Sequence, residues 1–283
     1  VLWPPRPDIT VKEAVTACGP WLSGQEQRSV VEGRLDELIA CEAAYQAAAS
    51  SGQLLPWLHS ELERQEGDSD KGLFQDTYET ALVDRKQGRA LYDALKAGAI
   101  RGVCPLCGYQ LVSQLDHHAP KTKFPLLALT PMNLVPVCGT CNQRKSAKLP
   151  RQASEEDFHP YFDDLGVRRW LFVEVNAAAG GVPEYSVRPP DDWAEDRSER
   201  LRHHFKRYNL AFVYQMAAST HIANRRRRDI ELLDKTASPE ALRATLQDEA
   251  ESCQANDPNS WETALLHGLT ASDWYINGGV REM

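Results

Sequence analysis

The sequence predicts an α+β chain that is mostly helical, with a small zinc-bound module near its middle. Three observations carry that expectation. Apolar residues recur at helical spacing through much of the chain, two Cys-x-x-Cys pairs bracket a stretch where that spacing stops, and RRWLFVEV after it has the composition of a strand. The chain has 283 residues, 42% of them hydrophobic and 25% charged, so it can bury a core without disulfides.

Residues 1–97 form the first expected region, which is helical. In VVEGRLDELIACEAAYQAAA, Val31, Leu35, Leu38 and Ile39 fall on one helical face before an alanine-rich stretch. A second helix is expected from Phe74 through Tyr78 and Leu82 towards Leu95. Between them, SGQLLPWLHSELERQEGDSDKG reads as turns and a polar linker. These helices are expected to be scaffold or a partner surface. In the second region, residues 98–151, YQLVSQLDHH suggests two short strands with a turn near Ser113. NLVPVCGTCNQRKSAK suggests a loop leading into a short helix after Val137. In the third region, residues 152–283, RRWLFVEV is a strand that EYSVRP can pair with across AAAGG. A long helix is expected from Asp191 or Asp192, with Leu201, Phe205, Tyr208, Phe212 and Met216 as its buried stripe. Further helices are expected around 238–253 and 258–268.

The net charge of −8 argues against a polyanionic partner, but its distribution argues for one. Between Ile100 and Arg151 the basic residues are Arg101, Lys121, Lys123, Arg144, Lys145, Lys148 and Arg151, and Asp116 is the only acid. From Arg200 to Arg228 eight basic residues occur without an acidic one. Either segment alone reads as a solvated helix face; taken with the motif described below, the segregated charge reads as a footprint for a polyanion.

Seven cysteines are present, four of them in CPLC (Cys104, Cys107) and CGTC (Cys138, Cys141), with 30 residues, 108–137, between the pairs. Paired knuckles at a bridgeable distance suit one tetrahedral zinc with four thiolates. Such a site is filled by the protein, so the expected role is structural. Cys18, Cys41 and Cys253 are isolated, and no function is expected of them.

The segments CPLC, LDHHAP and NLVPVCGTCNQRK, in that order, resemble the zinc-containing HNH endonucleases, whose core is a ββα-metal fold. The match covers about 50 residues and rests on knuckles and polar positions together. In that family a proline follows the catalytic histidine by three residues, so Pro120 selects His117. His118 is then structural or a phosphate contact, although adjacent histidines can also act as ligand and base. The resemblance implies Asp116, His117, Asn133 and Asn142 as the catalytic set. Asp116 and Asn142 would hold a divalent cation, Mg²⁺ or Mn²⁺, and Asn133 would orient the His117 ring. Carboxylate and amide oxygens are hard donors suited to such ions. Lys121, Lys123, Arg144 and Lys145 are expected to contact the nucleic-acid backbone.

The implied activity is hydrolysis of phosphodiester bonds in DNA, by nicking or double-strand cleavage; the residues alone do not choose between DNA and RNA. LDHHAPKTKFPLLALTPMNLVPVCGTCN followed by FHPYFDD further resembles nucleases of bacterial antiphage systems of the Septu type, which accompany an ATPase. An ATPase subunit or a second copy are therefore the expected partners, and the chain has no G-x-x-x-x-G-K-[ST] of its own. The competing readings are a zinc-stabilised nucleic-acid-binding or interaction module without catalysis, which leaves the polar set unexplained, and an interaction scaffold with a vestigial nuclease segment.

His159, beside Asp163 and Asp164, reads as part of an exposed turn packed on the module rather than a metal ligand. His203 and His204 are expected to face solvent or nucleic acid. NRRRRDIE could contact phosphate or simply be solvated. No apolar run reaches membrane-span length and the first residues do not read as a signal peptide, so a soluble cytoplasmic protein is expected.

Overall fold

Helix formation begins at Thr10, whose side chain accepts from the Glu13 amide while Glu13 accepts in return from the Thr10 amide at 2.7 Å. This reciprocal cap starts α1 (Val11–Cys18) in the computed structural model, which describes residues 3–22 and 24–283. α2 (Gln25–Gly33) and α3 (Leu35–Ser50) follow. The stretch expected to be a linker is instead α4 (Leu54–Gln65). Pro56 stands in its first turn, where a missing N–H costs nothing, and Leu54, Leu55 and Leu58 are buried.

α5 (Lys71–Asp76) runs into a π-helical segment, Thr77–Val83, and α6 (Lys86–Ala97) returns against it. Gly88 makes that contact possible: a Cβ there would lie 2.1 Å from the Ala81 carbonyl oxygen. The widened π turn carries Tyr78, which reappears at the site below.

After an isolated bridge between Val103 and Leu111, β1 (Gln114–His117) pairs antiparallel with β2 (Leu134–Val137). Asp116 faces Val135 and His117 faces Leu134 in this register. α7 (Gly139–Lys145) follows directly. The strand partner of LDHH is therefore LVPV, and the region read as a loop before Val137 is a strand.

Residues 3–106 and Gln110–Asp164 form one compact unit, so the boundary expected at residue 97 does not divide the fold. Its core joins Val11, Leu38, Tyr45, Phe74 and Leu82 of the helices to Leu115, Phe124, Leu126 and Leu134 of the central segment. A two-stranded sheet and one short helix cannot bury enough surface alone; the N-terminal helices supply the rest.

The other unit contains Cys107–Tyr109 and Leu165–Met283. β3 (Leu171–Glu174) and β4 (Glu184–Val187) form the expected hairpin. The expected long helix is two helices, α8 (Glu195–Arg207) and α9 (Leu210–Thr236). Asn209 between them is left-handed at φ 52°. This break shifts the helical phase: Leu201 and Tyr208 are buried as expected, but Phe212 and Met216 are 55% and 54% exposed. Tyr214, Ala218 and Ile222 form the inner face instead. α10 (Pro239–Asn256), α11 (Trp261–Ala271) and α12 (Asp273–Ile276) complete the chain. Among the described residues, no helix is long and apolar enough to cross a membrane.

Candidate active site and cysteine cluster

All four cysteines of the two pairs are buried, and their sulfurs lie within 4.8 Å of one another. A tetrahedral ion with metal–sulfur bonds of ~2.3 Å requires sulfurs ~3.8 Å apart, so the group can hold a metal ion such as zinc. Backbone turns present the thiols. Cys138 caps α7, its sulfur accepting from the Cys141 amide, and the Cys104 amide donates to the Gln110 carbonyl at 2.8 Å. Among the described residues no second group of three or more His, Cys, Asp or Glu side chains converges in this way.

β1, the end of α7 and the π turn enclose a separate cleft of about 340 Å³. Asp116, His117, Asn142, Lys145, Lys121 and Tyr78 line it. Asp116 and His117 are consecutive on β1, so their side chains leave opposite faces of the strand, and both residues line the cleft.

His117 is almost wholly buried, and its Nε2 lies 2.9 Å from the Ala128 carbonyl oxygen. A carbonyl only accepts, so Nε2 carries the proton and Nδ1 carries the lone pair. The edge of the Tyr78 ring packs on the imidazole, with centroids 4.4 Å apart. Burial pushes the His117 pKa down to about 3, and the opposing bond to Ala128 is the weaker influence. The ring is neutral near pH 7, with its lone pair on Nδ1.

Lys145 reaches back from α7 to β1. Its ammonium donates to the His117 carbonyl at 2.7 Å and lies 3.1 Å from an Asp116 oxygen. Burial raises the Asp116 pKa above the usual aspartate value, and Lys145 opposes that rise. Lys145 was expected to meet phosphate from the surface; it is buried instead, inside the wall of the cleft. Lys121 lies over the Tyr78 ring and pairs with Glu79 at 2.6 Å. Lys123 and Arg144 are partly exposed.

Asn133 was expected to orient the imidazole; it is fully buried, and its side chain hydrogen-bonds to Tyr45, Ala119 and Leu127 rather than to that ring. Its Oδ1 accepts from the Ala119 amide at 2.7 Å, and its Nδ2 donates to the Ala119 and Leu127 carbonyls at 3.0 and 3.1 Å. It therefore fixes the loop that presents the Ala128 carbonyl to His117. His118 does not line the cleft; its ring stacks on His159, with centroids 4.1 Å apart.

His159 lies in no exposed turn, being 2% exposed with both ring nitrogens engaged by Tyr45 and the Tyr161 amide. His204 is likewise buried, against Tyr208. Of the four consecutive arginines, Arg225 is buried in the fold and Arg226 partly so, whereas Arg227 and Arg228 are exposed. Arg225 holds Asp229 and Glu249, Arg226 caps the Val280 and Arg281 carbonyls, Arg227 pairs with Glu231, and Arg228 pairs with Glu249.

Several residues that shape the cleft lie outside the short motifs. Tyr92 accepts from the Leu115 amide at 3.0 Å, Gln65 accepts from Leu126 at 3.1 Å, and Gln75 donates to the Lys121 carbonyl at 3.2 Å. Each comes from the N-terminal helices. Helical periodicity marks such residues only as part of a stripe.

No family model matches this chain, and no solved structure matches it. Among curated proteins, the chain is similar to Protein ea31 of Escherichia phage lambda. The two are 25% identical over 292 residues, which cover 97% of this chain and 98% of that protein.

Proposed function

We propose that this chain is a metal-dependent endonuclease of the HNH type that hydrolyses phosphodiester bonds in DNA. The observation that carries the reading is one cleft lined by Asp116, Asn142 and a His117 whose Nε2 is committed to the Ala128 carbonyl. The β1–β2–α7 order, with the four cysteines at its turns, supports a ββα-metal module.

His117 Nδ1 takes a proton from water. The water oxygen bonds to phosphorus and the bond to the 3′ oxygen breaks, leaving 5′-phosphate and 3′-hydroxyl ends, with solvent protonating the departing oxygen. Two hard oxygen donors line the cleft, and Asp116 and Asn142 would hold Mg²⁺ or Mn²⁺. When bound, such an ion supplies positive charge for the phosphate and the departing oxygen. Lys145 keeps Asp116 and the His117 backbone in register. Lys123 and Arg144 position the polynucleotide backbone. The four thiolates would hold zinc as a structural clamp.

A role in antiphage defence, with an ATPase subunit or a second copy as partner, rests on the resemblance of residues 115–142 and 158–164. One observation favours a non-catalytic binding module: Lys145 already places a positive charge on Asp116, which lowers the need for a cation. Supercoiled plasmid incubated with Mg²⁺ or Mn²⁺ separates the two. The nuclease reading expects nicked or linear product that disappears with EDTA and in His117→Ala. Binding without cutting in every metal supports the module instead.

A further inference from the structure

Three distant parts of the chain meet in one hydrogen-bond chain behind the cleft, and its direction can be read from its ends. The Tyr161 amide donates to His159 Nδ1 at 3.2 Å, so that nitrogen carries a lone pair and Nε2 carries the proton. His159 Nε2 therefore donates to the Tyr45 hydroxyl, 2.8 Å away. Tyr45 in turn donates to Asn133 Oδ1 at 3.2 Å. The orientation of the Asn133 amide is settled by its partners, because it faces one amide N–H and two carbonyls.

Asn133 clips both ends of the loop 119–127. The next residue supplies the carbonyl that binds His117 Nε2. Tyr45 is fully buried and His159 nearly so. The Tyr45 ring packs on Trp57 and Phe162, which limits its freedom to swing away. Neither Tyr45 nor His159 lines the cleft, so neither is placed to touch substrate.

We infer that Tyr45 and His159 are positioning residues, which hold His117 in its Nε2–H form through Asn133 and the Ala128 carbonyl. The activity arm of this inference rests on the nuclease reading; the spectroscopic arm does not. In a buried chain of fixed direction, loss of one hydroxyl leaves the His159 donor without its acceptor and releases one of the bonds on Asn133 Oδ1. The loop then samples positions in which Ala128 no longer faces the imidazole.

The test uses Tyr45→Phe, His159→Leu, the double variant, and His159→Gln, which retains a donor near the Nε2 position. Long-range ¹H–¹⁵N spectra report the protonation pattern of the ring nitrogens, with His117→Ala identifying the His117 signals. Zinc content and thermal melting establish that each variant is folded. Wild type is expected to give a single Nε2–H pattern for His117. Tyr45→Phe and His159→Leu are expected to mix the two tautomers, and His159→Gln to restore the wild-type pattern.

Plasmid nicking is expected to fall roughly 10- to 100-fold in kcat with KM little changed, and the double variant to be no worse than the poorer single one. An unaltered His117 pattern in folded Tyr45→Phe and His159→Leu overturns the inference. Independent, multiplicative losses in the double variant also overturn it. A wild type that never cuts defeats the nuclease reading alone, because the ring spectra still decide the positioning role.

Discussion

The Lys145 ammonium lies 3.1 Å from an Asp116 oxygen, while the same nitrogen donates to the His117 carbonyl at 2.7 Å. One buried cation thus ties the last turn of α7 to the strand that carries the two central residues of the cleft. Removing it leaves the Asp116 carboxylate without its protein counter-charge and His117 without a donor at its carbonyl. Lys145→Met keeps most of the stem volume and should destabilise the fold by ~3–5 kcal/mol, the usual consequence of breaking a buried pair from one side. Urea unfolding measures this directly. A loss below ~1 kcal/mol would mean that Lys145 behaves as a surface residue, as the sequence alone suggested.

The cysteine cluster makes a different prediction. Four buried thiols with sulfurs within 4.8 Å are stable together only if a cation offsets their charge or all four stay protonated. Purified protein should contain zinc at one equivalent per chain by elemental analysis. Cys138→Ser should lose it and expose the knuckle turns to proteolysis. Structural zinc contributes on the order of 10 kcal/mol in small isolated motifs, so the melting temperature of the variant should fall sharply. Wild-type melting and proteolysis in Cys138→Ser would contradict a structural ion.

The cysteine pairs and the polar residues of the cleft were legible in the sequence because each lies in a short local pattern. Asp116, His117 and Asn142 are brought together by one hairpin and one helix, and the spacing of LDHHAP and CNQRK reflects that local geometry. What the sequence did not reveal is non-local. Tyr45 and Tyr78 carry no motif, His159 stands out only within FHPYFDD, and only tertiary packing brings these residues to the loop or the imidazole. The fate of charge was equally hidden. A run of four arginines looks the same whether it faces phosphate or closes on Asp229, Glu231 and Glu249. The phase of α9 was misread for one reason: a single left-handed residue, Asn209, rotates the buried face away from Phe212 and Met216.

A pH dependence follows from Glu42. Both of its carboxylate oxygens accept from the Val11 amide, at 3.1 and 3.2 Å, and the side chain is almost wholly buried. Burial raises its pKa above the ordinary 4.5; the Val11 bond works against that rise. The folded chain therefore binds this proton more tightly than the unfolded chain does. Stability from this group is greatest below pH 4.5 and is lost as pH rises through the elevated folded value. Glu42→Gln retains an acceptor for Val11 and removes the charge. Its melting temperature at pH 7 should exceed that of wild type, and the difference should shrink as pH falls toward 4.5. A variant less stable than wild type at pH 7 would show that the carboxylate charge is needed at the start of α1.

Ser146 ends α7 at φ 54° and ψ −178°, a conformation that favours glycine because a Cβ crowds the backbone there. The residue lines the cleft directly after Lys145, and its amide donates to the Asn142 carbonyl at 3.3 Å. The sharp turn lets the chain leave the helix while Asn142 and Lys145 stay aimed at the cleft. Such strain costs ~1–3 kcal/mol in a non-glycine residue. Glycine relieves it but loses more chain entropy on folding, by about 0.5–1 kcal/mol. Ser146→Gly should therefore raise stability by up to ~2 kcal/mol in urea unfolding, whereas Ser146→Ala, which keeps the Cβ, should leave it unchanged. If Ser146→Ala gains as much as Ser146→Gly, the strain lies in the hydroxyl and its surroundings rather than in the backbone. A plasmid assay on the same two variants then separates stability from function. Equal cutting by both marks Ser146 as a turn residue only, and a loss in both despite the stabilised fold of Ser146→Gly assigns the hydroxyl to the polynucleotide.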